Sequence, residues 1–346
     1  MATTPMGARK ARVLRAVVGD YIRTAEPVGS GTVATRYRLG VSPATIRNDM
    51  ATLEELGYLV QPHTSAGRVP TDLGYRFYVD TLPRRAALSD TQRRAIAVFF
   101  GEVPPDVEEV LRRTASFLSQ LTHYAAVALA PDVERSRVAY ADLIPLASGA
   151  LLVVVGDTGR VDKRLIEAAD GVSEPALRRT SEALRRSVAG RSYAEARRRI
   201  DRAAAAAAGD DRDVLAAVAQ AFADLERSGG PDHAFIGGVA NIAGEDAFER
   251  RETVRRLFEA LEEEAAVLRF LRGLAGEEEV AVTIGRENPV AAMREASVVV
   301  APYRAGHRPA GAIAVIGPTR MHYTTSISAV RAVSRRLSGL IETLAG

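Results

Sequence analysis

Residues 42–80 read SPATIRNDMATLEELGYLVQPHTSAGRVPTDLGYRFYVD, and their punctuation decides how the N-terminal part of the chain folds. Ser42 is suited to cap a helix, and Pro43 takes the first helical position, where a missing backbone N–H costs nothing. Ile46, Met50 and Leu53 follow at four and three residues, with Leu56 next, so one face of the helix is apolar. Gly57 stops it. Tyr58-Leu59-Val60-Gln61 is expected as a short strand, residues 62–67 as a turn cluster, and Arg68-Val69-Pro70 as a return strand whose proline is tolerable only at an edge. Thr71 or Asp72 then opens another helix, ending near Pro83. Helix, glycine turn, strand, loop with one arginine, strand and helix is the order of parts in a winged helix-turn-helix DNA-binding unit.

The residues upstream complete that unit. Residues 8–24 carry Leu14, Val17, Val18, Tyr21 and Ile22 at helical spacing. Ser30 is the expected cap of a second helix, which turns Val33, Ala34 and Tyr37 inward and stops at Gly40. Gly29-Ser30-Gly31-Thr32-Val33-Ala34 matches the dinucleotide pattern G-x-G-x-x-A in form. No strand precedes it and no βαβ unit surrounds it, so the glycines are read as shaping the start of helix 2.

On helix 3 the apolar positions fix the outward ones: Thr45, Arg47, Asn48 and Thr52 fall away from the Ile46/Met50/Leu53 face. An arginine can take two guanine acceptors at once, and an asparagine can pair both groups of adenine. Alone, such a helix reads as an ordinary amphipathic one; the preceding helix, tight turn and following hairpin favour DNA. In the wing, Arg68 lies beside His63, Thr64 and Ser65, where hydroxyls, a cation and backbone N–H groups suit phosphate or minor-groove contact. Ser42, Thr45, Arg47, Asn48, Thr52, His63, Ser65 and Arg68 form the candidate DNA-binding set.

Charge is distributed to match. Residues 1–85 hold 12 Lys/Arg against 7 Asp/Glu, a net of +5, whereas the remaining residues hold 34 against 36, a net of −2. The basic excess therefore sits on the proposed reading head. The 346 residues exceed one ordinary domain, and a hydrophobic fraction of 47% with 26% charged residues fits a core-forming chain. No apolar run approaches a membrane span, no secretory signal is apparent, and there is no Cys, which removes disulfides, thiolate zinc sites and Cys nucleophiles together. A cytoplasmic protein is expected. The five histidines, His63, His123, His233, His307 and His322, are far apart, and no Walker A or G-x-S-x-G pattern occurs, so neither a cofactor nor an enzymatic role is expected.

Beyond the head, residues 89–122 read as helix broken at Pro104-Pro105. Strands follow in AAVALAP, VAYADLIPL and ALLVVVGDTGRV. Residues 174–228 are helical and rich in Arg and Ala, and residues 245–274 give one or two more helices. Strands return at residues 280–285, 296–304 and 311–318, before a final helix from about Ser326. Strands, helices, then strands again indicate one α+β domain interrupted by a helical insertion. The turns Gly285-Arg286-Glu287-Asn288 and Gly317-Pro318-Thr319-Arg320-Met321 are read as structural.

The string Glu26-Pro27-Val28-Gly29-Ser30, the blocks SPATIRNDMATLEELGYL and QPHTSAGRVPTDLGYRFYVD, and the late IGRENP and GAIAVIGPTRMHY resemble the heat-inducible transcription repressor family, HrcA. The resemblance covers almost the whole chain and is weakest in residues 174–230. It implies a multidomain α+β fold: a winged-helix domain at 1–85, connecting helices at 86–122, a GAF-like domain in two segments (123–173 and 263–346), and an inserted helical dimerisation domain at 174–262. It further implies a homodimeric repressor that binds an inverted-repeat (CIRCE) operator of heat-shock chaperone operons. Such a repressor is inactivated by heat, modulated by the chaperonin, and nucleoid-associated when on its operator. The reading residues it implies are Thr45, Arg47 and Asn48 on helix 3 and His63, Ser65 and Arg68 in the wing. The alternative is a winged-helix repressor controlled by a metabolite in its GAF-like domain.

Overall fold

Local sequence signals set the head. In the computed structural model, which describes residues 6–64, 66–83, 88–101, 106–131, 136–146, 149–158, 161–166, 174–228, 234–238, 265–276 and 279–345, three helices open the chain: α1 (Ala8–Thr24), α2 (Ser30–Tyr37) and α3 (Pro43–Glu55). Val13, Leu14, Val17, Val18, Val33, Ile46, Met50 and Leu53 converge as their core. Gly29, not Ser30, stands at the N-cap of α2, and Ser30 is its first helical residue. Leu56 lies beyond the end of α3 and is 51% exposed, so the apolar face ends at Leu53. The strands β1 (Leu59–Val60) and β2 (Val69–Pro70) pair antiparallel, and Val28 bridges Arg68 as a third rung. Helix α4 (Asp72–Asp80) follows.

Two helices, α5 (Asp90–Gly101) and α6 (Val107–Thr122), lead to the body. Its sheet runs β7-β3-β10-β9-β8, antiparallel throughout, from β3 (Ala125–Leu129), β7 (Ala234–Gly237), β8 (Ala281–Ile284), β9 (Ala296–Ala305) and β10 (Arg308–Pro318). Strand residues alternate between two cores. Ala126, Ala128, Val299, Ala301 and Val315 share one with α6 and α11 (Tyr323–Ala345), while Val127, Val298, Val300 and Ala314 share the other with α10 (Ala265–Leu274). Both faces are covered, which is why these strands are apolar almost without interruption.

The strands β4 (Val138–Leu146), β5 (Gly149–Gly156) and β6 (Val161–Ile166) do not join that sheet. They form a separate three-stranded meander. Its inner residues Ala141, Leu143, Leu152, Val154 and Ile166 pack on α7 (Glu174–Ser187), α8 (Tyr193–Ala206) and α9 (Asp210–Ser228) through Leu177, Leu184, Ile200, Val218, Phe222 and Leu225. The expected boundary at residue 174 thus falls inside a single hydrophobic core. Strand texture gives way to helix there, but the inward stripes of both belong together. Strand β7, unanticipated because it is only four residues long, returns the chain to the main sheet.

Candidate nucleic-acid interface

Helix α3 begins as its sequence dictates. The Ser42 hydroxyl accepts the Thr45 N–H at 3.1 Å and lies 3.0 Å from the Thr45 hydroxyl, so both side chains are tied to the first turn. Thr52 donates back to the Asn48 carbonyl at 3.2 Å. Arg47 and Asn48 are exposed on the outer face, and they are the long polar side chains with donors aimed at solvent there.

Two buried carboxylates of the head, Asp49 and Asp20, are matched by arginines. Arg9 of α1 grips Asp49 with two hydrogen bonds, at 2.7 and 3.0 Å, which pins α1 to α3. Asp20 is 2% exposed. Burial alone would raise its carboxyl, but hydrogen bonds from Arg36 and Arg23 outweigh this and hold it below the usual range. Asp20 thereby joins α1 to α2. Arg12, Arg15, Arg38 and Arg47 remain exposed on the head.

The wing is built from within. The Arg68 guanidinium lies 2.8 Å from the Glu54 carboxylate, and Glu54 also accepts the Gln61 N–H at 3.0 Å. The Gln61 amide donates to the carbonyls of Thr64 and Ala66 at 3.0 and 2.9 Å, closing the loop across itself. Gly67 is required by close approach, since a Cβ there would sit 2.5 Å from the Val28 carbonyl. His63 and Thr64 are exposed at the tip. Ser65 lies outside the described residues.

Two family models match. One, the DeoR-like helix-turn-helix domain, spans residues 33–70, from the middle of α2 to the end of β2. The other, the HrcA protein C terminal domain, spans residues 108–327. The chain belongs to the HrcA family of heat-inducible transcription repressors. Heat-inducible transcription repressors HrcA of Pelotomaculum thermopropionicum and Thermobifida fusca are 39% and 40% identical to it, each match covering 96% of both chains. That of Beutenbergia cavernae is 42% identical over 95% of this chain and 97% of its own. A crystal structure of a hypothetical protein, 25% identical, superposes with a TM-score of 0.67 over 98% of this chain and 99% of that one. The HrcA family is one of DNA-binding repressors rather than enzymes, and the resemblance read from the late motifs and the head is borne out.

The structure brings Ser42, Thr45, Arg47, Asn48 and Thr52 together on α3 and carries His63 out on the wing. Arg68 is the departure. The sequence offers it as a cation for phosphate or minor-groove contact, whereas its side chain is only 17% exposed and faces Glu54. Sequence reasoning passed over Glu54, Gln61 and Asp49, which tie α1, α3 and the wing together from partly or fully buried positions. A hint existed in the helical spacing, since Glu54 lies two turns beyond Arg47 on one stripe.

Proposed function

We propose that this repressor acts as a homodimer on an inverted-repeat operator upstream of heat-shock chaperone operons, reading each half-site with Arg47 and Asn48 of α3 and releasing the DNA on heat stress. Ser42, Thr45 and Thr52 support the helix from its own backbone. His63, with Ser65 and the Arg68–Glu54 pair at the wing base, serves the flanking backbone or minor groove. The observation that carries the DNA reading is the outward placement of Arg47 and Asn48 on a helix whose Asp49 and Glu54 are paired with Arg9 and Arg68.

The two-copy reading is supported by the outer face of the β4–β6 meander. Tyr140, Ile144, Leu146, Val161 and Leu165 are 44–56% exposed there. Two cross-strand rows organise the face, Tyr140–Val155–Val161 and Ile144–Leu151–Leu165. The row between them is Asp142–Val153–Lys163. Exposed apolar residues grouped in this way mark an interaction site, and a two-fold axis lets one patch cover its own copy. Twofold symmetry also matches a palindromic operator. The residues 138–228 are thus the proposed dimerisation domain, and the β7-β3-β10-β9-β8 sheet the proposed GAF-like domain. Tyr303 fills the interior of that sheet, its hydroxyl bonded to the Leu129 carbonyl at 2.7 Å. Free chaperonin as the modulator that keeps the repressor active, and a cytoplasmic, operator-bound location, rest on kinship with the family.

Genome-wide footprinting with an Arg47→Ala comparison tests the function. Protected inverted repeats upstream of chaperone genes, lost in the variant, are expected. Protection elsewhere, or protection unchanged by the substitution, contradicts it.

A further inference from the structure

The two late motifs, read from sequence as strand-end turns, converge on one helix of the head. Helix α4 follows the wing directly and is fixed to it. The Thr71 hydroxyl donates to the Gly57 carbonyl at 2.6 Å and accepts the Gly74 N–H, while Gly74 lies so close to the Tyr58 carbonyl that any Cβ would collide with it. Whatever holds α4 therefore holds the wing and recognition helix as well.

Two side chains of α4 enter the IGRENP turn. The Asp72 carboxylate accepts the Arg286 N–H at 3.0 Å. Arg76 spans the Glu287 carboxylate, with its Nε at 2.8 Å from one oxygen and its Nη2 on the other, and also donates to the Val282 carbonyl at 2.7 Å. Gly285 has φ +54°, and a Cβ there would strike the Asp72 carboxylate, so glycine is required both for the backbone and for the approach. The turn is rigid before α4 reaches it. Buried Asn288 donates to the carbonyls of Gly285, Met293 and Ala296 and accepts from the Thr283 hydroxyl, and Glu287 accepts the Ile284 N–H. The second motif, GPTRMHY, supplies Tyr323. Its ring packs on Tyr75 at 6.2 Å, and its hydroxyl is held by Ser297 and the Thr319 carbonyl.

We propose that this dock, Asp72 and Arg76 of α4 seated in the turn at residues 284–289 with Tyr75 against Tyr323, is the positioning device that fixes the reading head on the body and so sets the spacing of two heads for an inverted repeat. The proposal rests on the two-copy reading above. Docking leaves Arg47, Asn48 and His63 exposed, so it orients the reading face without masking it. A head held in place engages the second half-site as an intramolecular event; a loose head meets it at a lower effective concentration. Arg76, Asp72 and Glu287 are positioning residues, and none touches DNA.

The test uses the full chain and two duplexes: the footprinted inverted repeat, and the same duplex with one half-site scrambled. Arg76→Ala and Gly285→Ala are expected to weaken binding to the complete repeat about tenfold while changing single half-site binding less than about twofold. Arg76→Lys, which keeps the charge but not the two-pronged geometry, recovers part of the loss. Gly285→Ala lies outside the head, so its effect is free of any damage to head folding. Equal losses on both duplexes, or unchanged or tighter binding to the complete repeat, overturn the dock as a positioning device. A wild-type protein that gains nothing from the second half-site overturns the two-copy reading beneath it, and the dock's proposed role with it.

Discussion

The head and the meander of β4–β6 each expose one face, and the chemistry of the two faces differs. On α3 the outward side chains are polar, with Arg47 and Asn48 exposed on a helix whose Asp49 and Glu54 are paired with arginines. On the meander they are Tyr140, Ile144, Leu146, Val161 and Leu165. A polar, positively biased face gains from phosphates and base edges; an apolar one gains by leaving water. Each region thereby names the class of its partner, and the α4 dock joins the head to the β7-β3-β10-β9-β8 body.

Charging the apolar face is expected to have the largest effect. Ile144→Glu with Leu165→Glu, both at exposed positions in one cross-strand row, should yield a folded monomer by sedimentation and weaken binding to the complete repeat on the order of 100-fold. A dimer that survives both charges moves the interface elsewhere. Next comes the polar face. Arg47→Ala should lose about 1–3 kcal/mol on the operator and relax base preference, measured by competition with scrambled DNA. An equal loss on both duplexes means that Arg47 meets only phosphate.

Smaller effects test the inner support of the wing. Arg68→Ala and Glu54→Ala should each cost about 1 kcal/mol of operator affinity, and the double variant little more than either, because the two side chains act as a pair. Additive losses would restore Arg68 as an independent DNA contact.

The last effect appears only in acid. Burial would raise the Asp142 carboxyl, but hydrogen bonds from Arg185, Ser181 and Tyr140 outweigh this and hold it at about 2. Its folded value lies below the unfolded 3.8, so its contribution is fully present above pH 3.8 and is lost as pH falls through about 2. Circular dichroism of the Asp142→Asn variant should lack this part of the acid transition. An identical transition in both proteins would remove Asp142 as its source.

What the sequence made legible was mostly local. The bounds of α1, the Ser42 cap, the stop at Gly57 and the wing strands all follow from spacing, caps and turn residues, and the structure has them there, with the strands shortened to Leu59–Val60 and Val69–Pro70. What it hid was pairing over distance. A strand's alternation says which residues share a face but not which sheet it joins, so β4–β6 were grouped with the main sheet. Arg68 is an exposed cation in any local reading of its loop, until the hairpin folds it against Glu54. The turn at Gly285 met its partners on α4 more than 200 residues earlier in the chain, beyond the reach of any local pattern.

Genome-wide footprinting before and after a heat pulse tests the central claim most directly. Protection of inverted repeats ahead of chaperone operons at growth temperature, lost during the pulse and restored on recovery, is the predicted result. Protection that persists through the pulse, or that lies at sites without paired half-sites, would contradict it.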